Sequence, residues 1–313
     1  MVQVAPEVAE ALAEGRPVVA LESAVIAHGL PYPANIETAL AMETAVRAGG
    51  AVPATIGVSG GALVVGMDER LITQFGESAR KGQPVAKLGA RDLAAAAVLG
   101  WDGATTVGAT ARAAALVGIQ VLATGGVGGV HRGAAQTWDI SGDLMALARY
   151  PVMVVCAGVK AILDIPATLE WLEMLGVPVV GWRCSVFPAF YTADSGRRLP
   201  VSVGQVGDLA RLWAVERAWG GGGLLVVQPP PEELSDVETA IQSALAEAEA
   251  AGVHGAAVTP YLLAKVSELT DGKSLEVNTA LLRHNALTAA AIACGLARPP
   301  QEPKQSFQKD IAP

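Results

Sequence analysis

The chain alternates short apolar runs, rich in β-branched residues, with longer segments of helical periodicity. The short runs are almost continuously apolar, which is typical of strands that helices cover on both faces of a parallel sheet. Strands are predicted at Val18–Leu21, Thr55–Val58, Ala62–Val65, Val85–Leu88, Thr105–Val107, Ile119–Ala123, Val152–Cys156, Val177–Gly181 and Leu224–Val227. Helices are predicted near residues 34–48, 69–78, 90–99, 109–117, 141–149, 166–174, 207–218, 235–251, 260–270 and 275–295. This pattern predicts an α/β protein with three α/β/α layers and a mostly parallel central sheet.

One connection breaks the parallel pattern. The runs Thr55–Val58 and Ala62–Val65 are joined by Ser59, Gly60 and Gly61, which predicts a β-hairpin and therefore a mixed sheet. Because no clear linker or repeat divides the chain, we expect a single α/β/α catalytic domain over residues 1–298. The Pro- and Gln-rich segment 299–313 is expected to be a frayed tail.

Composition excludes several classes of protein. A net charge of -8 argues against a nucleic-acid binder, which normally carries a basic face. The three cysteines are far apart, so they form neither a disulfide framework nor a zinc pattern. The first ten residues lack the features of a signal peptide, and no apolar run reaches the ~18 residues of a membrane span. We therefore expect a cytoplasmic protein that engages neither membrane nor nucleic acid.

A lysine follows one of the most apolar predicted strands. Lys160 comes directly after the run Val152–Val159. It is either an ordinary lysine that extends its amine into water, or a partly desolvated one whose neutral amine acts as a nucleophile or Schiff-base former.

A glycine-rich segment, Thr124–Gly133, follows another predicted strand and is called the glycine loop below. Its spacing matches neither a dinucleotide-binding fingerprint nor a P-loop. It is either a flexible turn or a contact for phosphate, in which clustered amides and the side chains of His131 and Arg132 donate hydrogen bonds.

Two carboxylates and a hydroxyl lie within five residues just beyond the glycine loop. If a helix begins here, Asp139 and Asp143 share one of its faces. Alternatively, Ser141 caps a helix and Asp143 lies in its first turn. Carboxylates in this setting suit Mg²⁺ or Mn²⁺, especially beside a phosphorylated substrate.

Polar residues recur at or just past the ends of predicted strands, where ligands bind in open α/β sheets. These residues are Glu22, Lys87, Thr124, Asp139 and Lys160. Segment 187–203 has no periodicity; it is an active-site loop or, the interpretation we favour, a plain surface excursion.

Several long motifs resemble the pseudouridine-5'-phosphate glycosidase family, which includes the indigoidine synthase A-like proteins. The resemblance runs in order from about residue 8 to residue 296. The motifs that carry it are Ala20–Ser23, Ala27–Pro33, the glycine loop, Asp139–Leu144, Val155–Lys160, Thr259–Ala264 and Asn278. Two positions depart from the pattern: Gly142 stands where many relatives have Ala, and His284 where many have Asn.

The resemblance implies a reversible cleavage of the C–C glycosidic bond of pseudouridine 5'-phosphate, giving uracil and ribose 5-phosphate, in pseudouridine degradation. It also implies an α/β/α homotrimer. Lys160 matches the nucleophile, Glu22 the proton donor and Asp139 the ligand of one Mn²⁺, with Mg²⁺ or another divalent cation as alternatives. The positions that match substrate contacts or pocket motifs are Lys87, Val107, Thr124, His131, Ser141, Gly142, Asp143 and Asn278.

The implied reaction needs the lysine, because a C–C bond has no leaving oxygen for a pair of carboxylates to protonate. An iminium between Lys160 and C1' supplies the electron sink, and Glu22 protonates uracil at C5. Two alternatives remain: another lysine-dependent sugar-phosphate lyase or aldolase, or a catalytically silent ligand-binding protein. The presence of Glu22, Asp139 and Lys160 together argues against the silent protein.

Overall fold

The computed structural model describes residues 1–253 and 258–297. Its strands are β1 (Val2–Val4), β2 (Val18–Glu22), β3 (Val52–Ser59), β4 (Ala62–Val65), β5 (Ala86–Leu88), β6 (Gly103–Thr105), β7 (Val121–Ala123), β8 (Val130–His131), β9 (Met153–Cys156), β10 (Leu163–Asp164), β11 (Val179–Trp182), β12 (Val201–Val203) and β13 (Leu224–Val227). Its α-helices are α1 (Pro6–Ala13), α2 (Ala34–Ala48), α3 (Glu69–Glu77), α4 (Leu93–Leu99), α5 (Val107–Val117), α6 (Ala134–Thr137), α7 (Gly142–Arg149), α8 (Ile165–Met174), α9 (Val206–Ala218), α10 (Val237–Ala250), α11 (Val258–Leu269) and α12 (Lys273–Ala297). A short π-helix spans Val25–Gly29.

The strands form one large mixed sheet in the described part of the chain. Its main path runs β1-β4-β3-β2-β7-β9-β13-β11-β12, with β6 pairing β3 and β5 pairing β6. The six pairs from β3–β2 along to β11–β12 are all parallel, whereas β3 is antiparallel to β4 and to β6. The prediction of a three-layer α/β/α protein with a mostly parallel, mixed sheet is confirmed.

The predicted hairpin is also confirmed. Strand β3 pairs with β4 through Ile56 opposite Val65 and Ser59 opposite Ala62. Gly60 and Gly61 form the turn with φ of 54° and 78°, a left-handed conformation at both positions that glycine adopts without strain.

Helix α12 is the main helix of the core. It packs on α2, where a Cβ on Gly49 would lie 2.5 Å from the Cβ of Ala290. By length and composition alone α12 could cross a membrane. However, Leu281, Asn285 and Ala289 are fully buried within the protein, which is the pattern of a core helix.

The structure differs from the predictions mainly in short elements. Strand β1 and helix α1 were not predicted, because β1 has three mostly exposed residues and α1 begins at Pro6. The strand predicted at Thr105–Val107 ends at Thr105, because the Thr106 hydroxyl caps α5 by accepting from the Ala109 amide. The predicted tail 299–313 lies outside the described residues, and the single-domain boundary at 298 stays a prediction.

Candidate active site

The site lies where the order of the strands reverses along the sheet. From β2 the chain continues to β3 on one side, and later returns to β7 on the other side of β2. Ligands of open α/β sheets bind at such a reversal, outside the carboxyl ends of the strands. Glu22 ends β2, Thr124 follows β7, and Lys160 lies four residues past β9, so neighbouring strands bring these three residues together.

A pocket opens at this edge of the sheet and contains about 490 Å³ of empty space, part of it open to solvent. Glu22, Lys87, Thr124, Lys160 and Asn278 were predicted from the sequence and line it. The remaining lining residues are Ala24, Val25, His28, Gly29, Gly125, Gly126, Phe190, Leu263 and Leu282.

Glu22 is a buried carboxyl group, with only 6% of its surface exposed. The hydroxyl of Thr124 donates a hydrogen bond to its Oε1 atom. Burial raises the pKa of Glu22, while the nearby Lys160 ammonium and the Thr124 hydroxyl act against that shift. The net shift is upward, so Glu22 holds its proton to a higher pH than an ordinary glutamate and is suited to donate it.

Two lysines line the same pocket. Burial lowers the pKa of Lys87, and the positive charge of Lys160 lowers it further. Lys160 itself is half-buried, with its backbone N–H bonded to the carbonyl of Val127 in the glycine loop. The sequence offered Lys160 as the candidate for a desolvated amine, whereas the amine whose pKa burial lowers in the structure is that of Lys87.

The glycine loop is packed tightly in the structure. A Cβ on Gly126 would lie 2.7 Å from Phe190, and one on Gly129 would lie 2.4 Å from the Thr168 hydroxyl. Many of its amides donate within the protein: those of Thr124, Val127, Gly128, Val130 and His131 bond to Val155, Gly158, Asp143, Thr168 and Asp139. The loop is therefore packed rather than a flexible turn. Thr124, Gly125 and Gly126 line the pocket, and the phosphate contact stays a prediction.

Arg132 donates its hydrogen bonds to other residues of the protein and does not line the pocket. Its guanidinium donates to the carboxylate of Glu238 on α10 at 2.6 Å and to the carbonyl of Ala161 at 3.1 Å. It thereby ties the glycine loop to the residue that follows Lys160.

The segment Asp139–Asp143 follows the second of its two predicted alternatives. Ser141 caps α7, and its hydroxyl accepts from the Asp143 amide at 3.2 Å, so Asp139 lies outside the helix. The buried Asp143 carboxylate accepts from the Gly108 amide at 2.8 Å and the Gly128 amide at 3.0 Å. Asp143 thus joins the start of α5 to the glycine loop. Asp139 and Asp143 do not share a helix face, so the first alternative is wrong.

The other predicted substrate positions lie around this junction. Val107 is the first residue of α5 and is buried, and Gly142 is the first residue of α7. Val107, Ser141, Gly142 and Asp143 are not among the residues that line the pocket.

Asp139 and His131 lie beside each other, and neither is among the residues that line the pocket. The His131 Nδ1 atom is 3.9 Å from Asp139 Oδ2, and the Asp139 side chain is 36% exposed. Burial lowers the pKa of His131, and the Asp139 carboxylate acts against that shift. No group of three or more His, Cys, Asp or Glu side chains gathers for a metal within residues 1–253 and 258–297. This donor set fits a hydrated Mn²⁺ or Mg²⁺ held by one carboxylate and waters, and it does not fit a closed protein cage.

Sequence reasoning missed part of the pocket wall. His28, on the π-helix, has a buried Nε2 atom without a hydrogen-bond partner in the described residues, and its motif was noted without a role. Phe187, Phe190 and Tyr191 are buried, and Phe190 lines the pocket. The preference for 187–203 as a surface excursion is therefore wrong for its first residues, which lack a period because they form an irregular wall.

Comparison with known proteins decides the family. The sequence profile of the indigoidine synthase A like proteins matches residues 7–295. The chain belongs to this family. A pseudouridine-5'-phosphate glycosidase of Herpetosiphon aurantiacus is 54% identical over 297 residues, covering 93% of this chain and 97% of that protein.

Two solved structures are similar to this chain over almost its whole length. The prealnumycin C-glycosynthase AlnA, in complex with ribulose 5-phosphate, superposes with a TM-score of 0.86 at 38% identity, covering 95% of this chain and 97% of that one. An indigoidine synthase A-like protein from Thermotoga maritima superposes with a TM-score of 0.85 at 34% identity, with the same coverage of 95% and 97%. The resemblance found from the sequence motifs is confirmed.

Proposed function

We propose that this protein is a pseudouridine-5'-phosphate glycosidase, which reversibly splits pseudouridine 5'-phosphate into uracil and ribose 5-phosphate. The observation that carries the proposal is a buried glutamate of raised pKa, Glu22, in one pocket with Lys160. The relative from Herpetosiphon aurantiacus, named for this activity and matched over almost its whole length, supports it.

The first step opens the ribose ring. The neutral amine of Lys160 bonds to C1', the C1'–O4' bond breaks, and the proton released by the amine goes to O4'. Lys160 is thereby joined covalently to the open-chain sugar, with uracil still attached to C1' through its C5 atom.

The second step breaks the C–C bond. Glu22 donates its proton to C5 of uracil, and the electron pair of the C1'–C5 bond returns to the uracil ring. The nitrogen lone pair of Lys160 forms the C1'=N iminium. Water then adds to C1', ribose 5-phosphate leaves, Lys160 returns as an amine, and a proton returns to Glu22.

The phosphate is held by the ammonium of Lys87 together with amide N–H groups of the glycine loop where that loop lines the pocket. Helices α5 and α7 begin at Val107 and Gly142, and their junction is fixed by the Asp143 carboxylate. By the resemblance the substrate also contacts this junction, but the Gly108 and Gly128 amides there already donate to Asp143, so we assign the attraction of the phosphate to Lys87.

A divalent cation belongs to the same proposal. Asp139 would hold it through one carboxylate, with water molecules as the other ligands. When bound, the ion supplies positive charge that orders water and the phosphorylated substrate.

The lysine chemistry is tested by trapping. Borohydride added with ribose 5-phosphate reduces the iminium to a stable amine, and peptide mapping then locates the adduct. We expect the adduct on Lys160, and we expect Lys160→Ala to abolish both the adduct and uracil release. Lys81→Ala, at a lysine that pairs with Glu77 away from the pocket, is the control and stays active.

The trapping experiment also separates the alternatives. An adduct on Lys87 instead of Lys160 would reverse the roles of the two pocket lysines. An adduct without uracil release from pseudouridine 5'-phosphate would favour another lysine-dependent lyase or aldolase. No adduct and no turnover would leave only a ligand-binding protein.

We also propose a cytoplasmic homotrimer, in line with the resemblance. Val98 is 84% exposed and Leu99 is 62% exposed at the end of α4, an apolar surface that subunit contacts would cover. Light scattering is expected to give three times the mass of the chain, and a stable monomer at working concentration contradicts this part.

A further inference from the structure

A chain of buried amide side chains lies behind the pocket. Asn285 on α12 is fully buried, and its Nδ2 atom donates to the carbonyl of Thr124 at 2.8 Å and more weakly to that of Gly125 at 3.4 Å. Its Oδ1 atom accepts from Gln228 Nε2 at 2.7 Å, and Gln228 Oε1 accepts from the Thr288 hydroxyl at 3.0 Å.

The direction of every bond in this chain is fixed. Backbone carbonyls only accept, so the amide nitrogen of Asn285 faces Thr124 and its oxygen faces Gln228. Gln228 must then donate to Asn285, which leaves its own oxygen for the Thr288 hydroxyl. Each amide nitrogen and oxygen in this chain has a partner, so rotation of either amide leaves buried polar atoms unpaired.

Thr124 is the residue that this chain holds. Its amide donates to the Val155 carbonyl at 3.0 Å, its carbonyl accepts from Asn285, and its hydroxyl donates to Glu22. The backbone of Thr124 is therefore fixed on both sides, and its side chain is aimed at the carboxyl group of the pocket.

We infer that Asn285 is a positioning residue for the proton donor: it holds the Thr124 backbone so that the Thr124 hydroxyl stays bonded to Glu22. The role as donor rests on the proposed function, whereas the positioning is a property of the protein without substrate. The hydroxyl of Thr124 acts against the upward pKa shift that burial gives Glu22. Loss of the Asn285 bond should therefore raise the pKa of Glu22 further, as loss of the hydroxyl itself does.

The test measures the protonation of Glu22 in the free protein. Infrared spectra recorded across pH contain a protonated-carboxyl band that Glu22→Gln removes, and its intensity gives the titration of Glu22. We expect Thr124→Val and Asn285→Leu each to move the midpoint of this titration upward. We expect the double variant to move it no further than Thr124→Val alone, because both changes remove the same hydrogen bond.

Asn35→Leu is a matched control. Asn35 is also a buried asparagine whose Nδ2 atom donates to two carbonyls, those of Ile26 at 2.7 Å and Gly76 at 2.9 Å, and none of these bonds reaches Thr124. Like Asn285→Leu, this variant removes buried hydrogen bonds, but it should leave the Glu22 midpoint unchanged. If Asn285→Leu does not fold, Gln228→Met decides instead, because it leaves Asn285 in place but frees its amide to turn.

The outcomes separate the two proposals. An unmoved Glu22 midpoint in folded Asn285→Leu, or in Gln228→Met when that variant must decide, overturns the positioning role. So does a double variant whose shift is the sum of the single shifts. If the wild-type protein releases no uracil, the proposed function fails, while the infrared titration still decides the role of Asn285.

Discussion

Lys87 and Lys160 line one pocket, in which burial lowers the pKa of Lys87 and the positive charge of Lys160 lowers it further. Lys87 is charged below its lowered pKa and loses that charge as the pH rises through it. An anion bound beside Lys87 therefore favours the protonated amine, and binding of the phosphate takes up a proton wherever Lys87 is neutral in the free protein.

This relationship predicts how KM depends on pH. KM for pseudouridine 5'-phosphate should rise as the pH rises through the lowered pKa of Lys87. Lys87→Arg should remove this rise, because a guanidinium stays charged throughout the range. Lys87→Met should give a high KM at every pH. Steady-state kinetics between neutral and alkaline pH measures all three, and a KM of Lys87→Arg that rises as steeply as that of wild type contradicts the assignment.

Glu22 should limit stability while it supports turnover. Its pKa in the folded state is raised, so its stabilising contribution is present below the pKa of the unfolded chain and is lost as the pH rises through the folded value. Glu22→Gln should therefore unfold at a higher temperature than wild type at neutral pH and at the same temperature in acid. Its turnover should fall by ~10²–10⁴-fold, the usual contribution of a general acid.

Glu43→Gln is the control for this combination of higher stability and lower turnover. Burial also raises the pKa of Glu43, which accepts a hydrogen bond from Thr55 at 2.5 Å and does not line the pocket. It should gain stability at neutral pH without losing turnover. Equal losses of turnover in the two variants would mean that the effect does not come from the proton of Glu22.

Two glycines lie near the place where α5, α7 and the glycine loop meet. Replacing each by alanine should change the stability of the fold in opposite directions. A Cβ on Gly142 meets nothing within 4 Å, so Gly142→Ala should stabilise the fold by about 0.4–1 kcal/mol through the unfolded chain. A Cβ on Gly128 would lie 2.2 Å from the Ser141 hydroxyl and 2.8 Å from Asp143, so Gly128→Ala should destabilise it. Urea denaturation of both variants measures the difference, and a stable Gly128→Ala protein would show that this junction yields easily.

The predicted metal site is tested by Mn²⁺ binding and, in wild type, also by activity. Mn²⁺ added to the apoprotein should lose its free-ion paramagnetic resonance signal on binding, and Asp139→Asn should bind it much more weakly. Asp208→Asn, on α9 and paired with Arg211, is the control and should bind as wild type does. In wild type, a chelator should suppress uracil release and Mn²⁺ should restore it. Full activity in metal-free protein contradicts the role of the ion.

The layers and most strands could be predicted because the hydrophobic pattern records burial on both faces of the sheet. That Glu22 and Lys160 line one pocket could also be predicted, because both residues follow apolar runs and strand ends meet at one edge of a parallel sheet. The partners of Asp143 could not, because hydrogen bonds to the Gly108 and Gly128 amides depend on how two helices meet. Phe190 gave no signal either, because an irregular segment can be buried without any period.

The walls of the pocket come from two separate parts of the chain. Glu22, Lys87 and Lys160 lie on or just after strands, whereas Leu263, Asn278 and Leu282 come from the two C-terminal helices. Divergence of the helical wall can therefore alter which compound fits while the reactive groups on the sheet stay in place. Such a division makes the pocket-facing positions of the helical wall the part to randomise when a new substrate is sought.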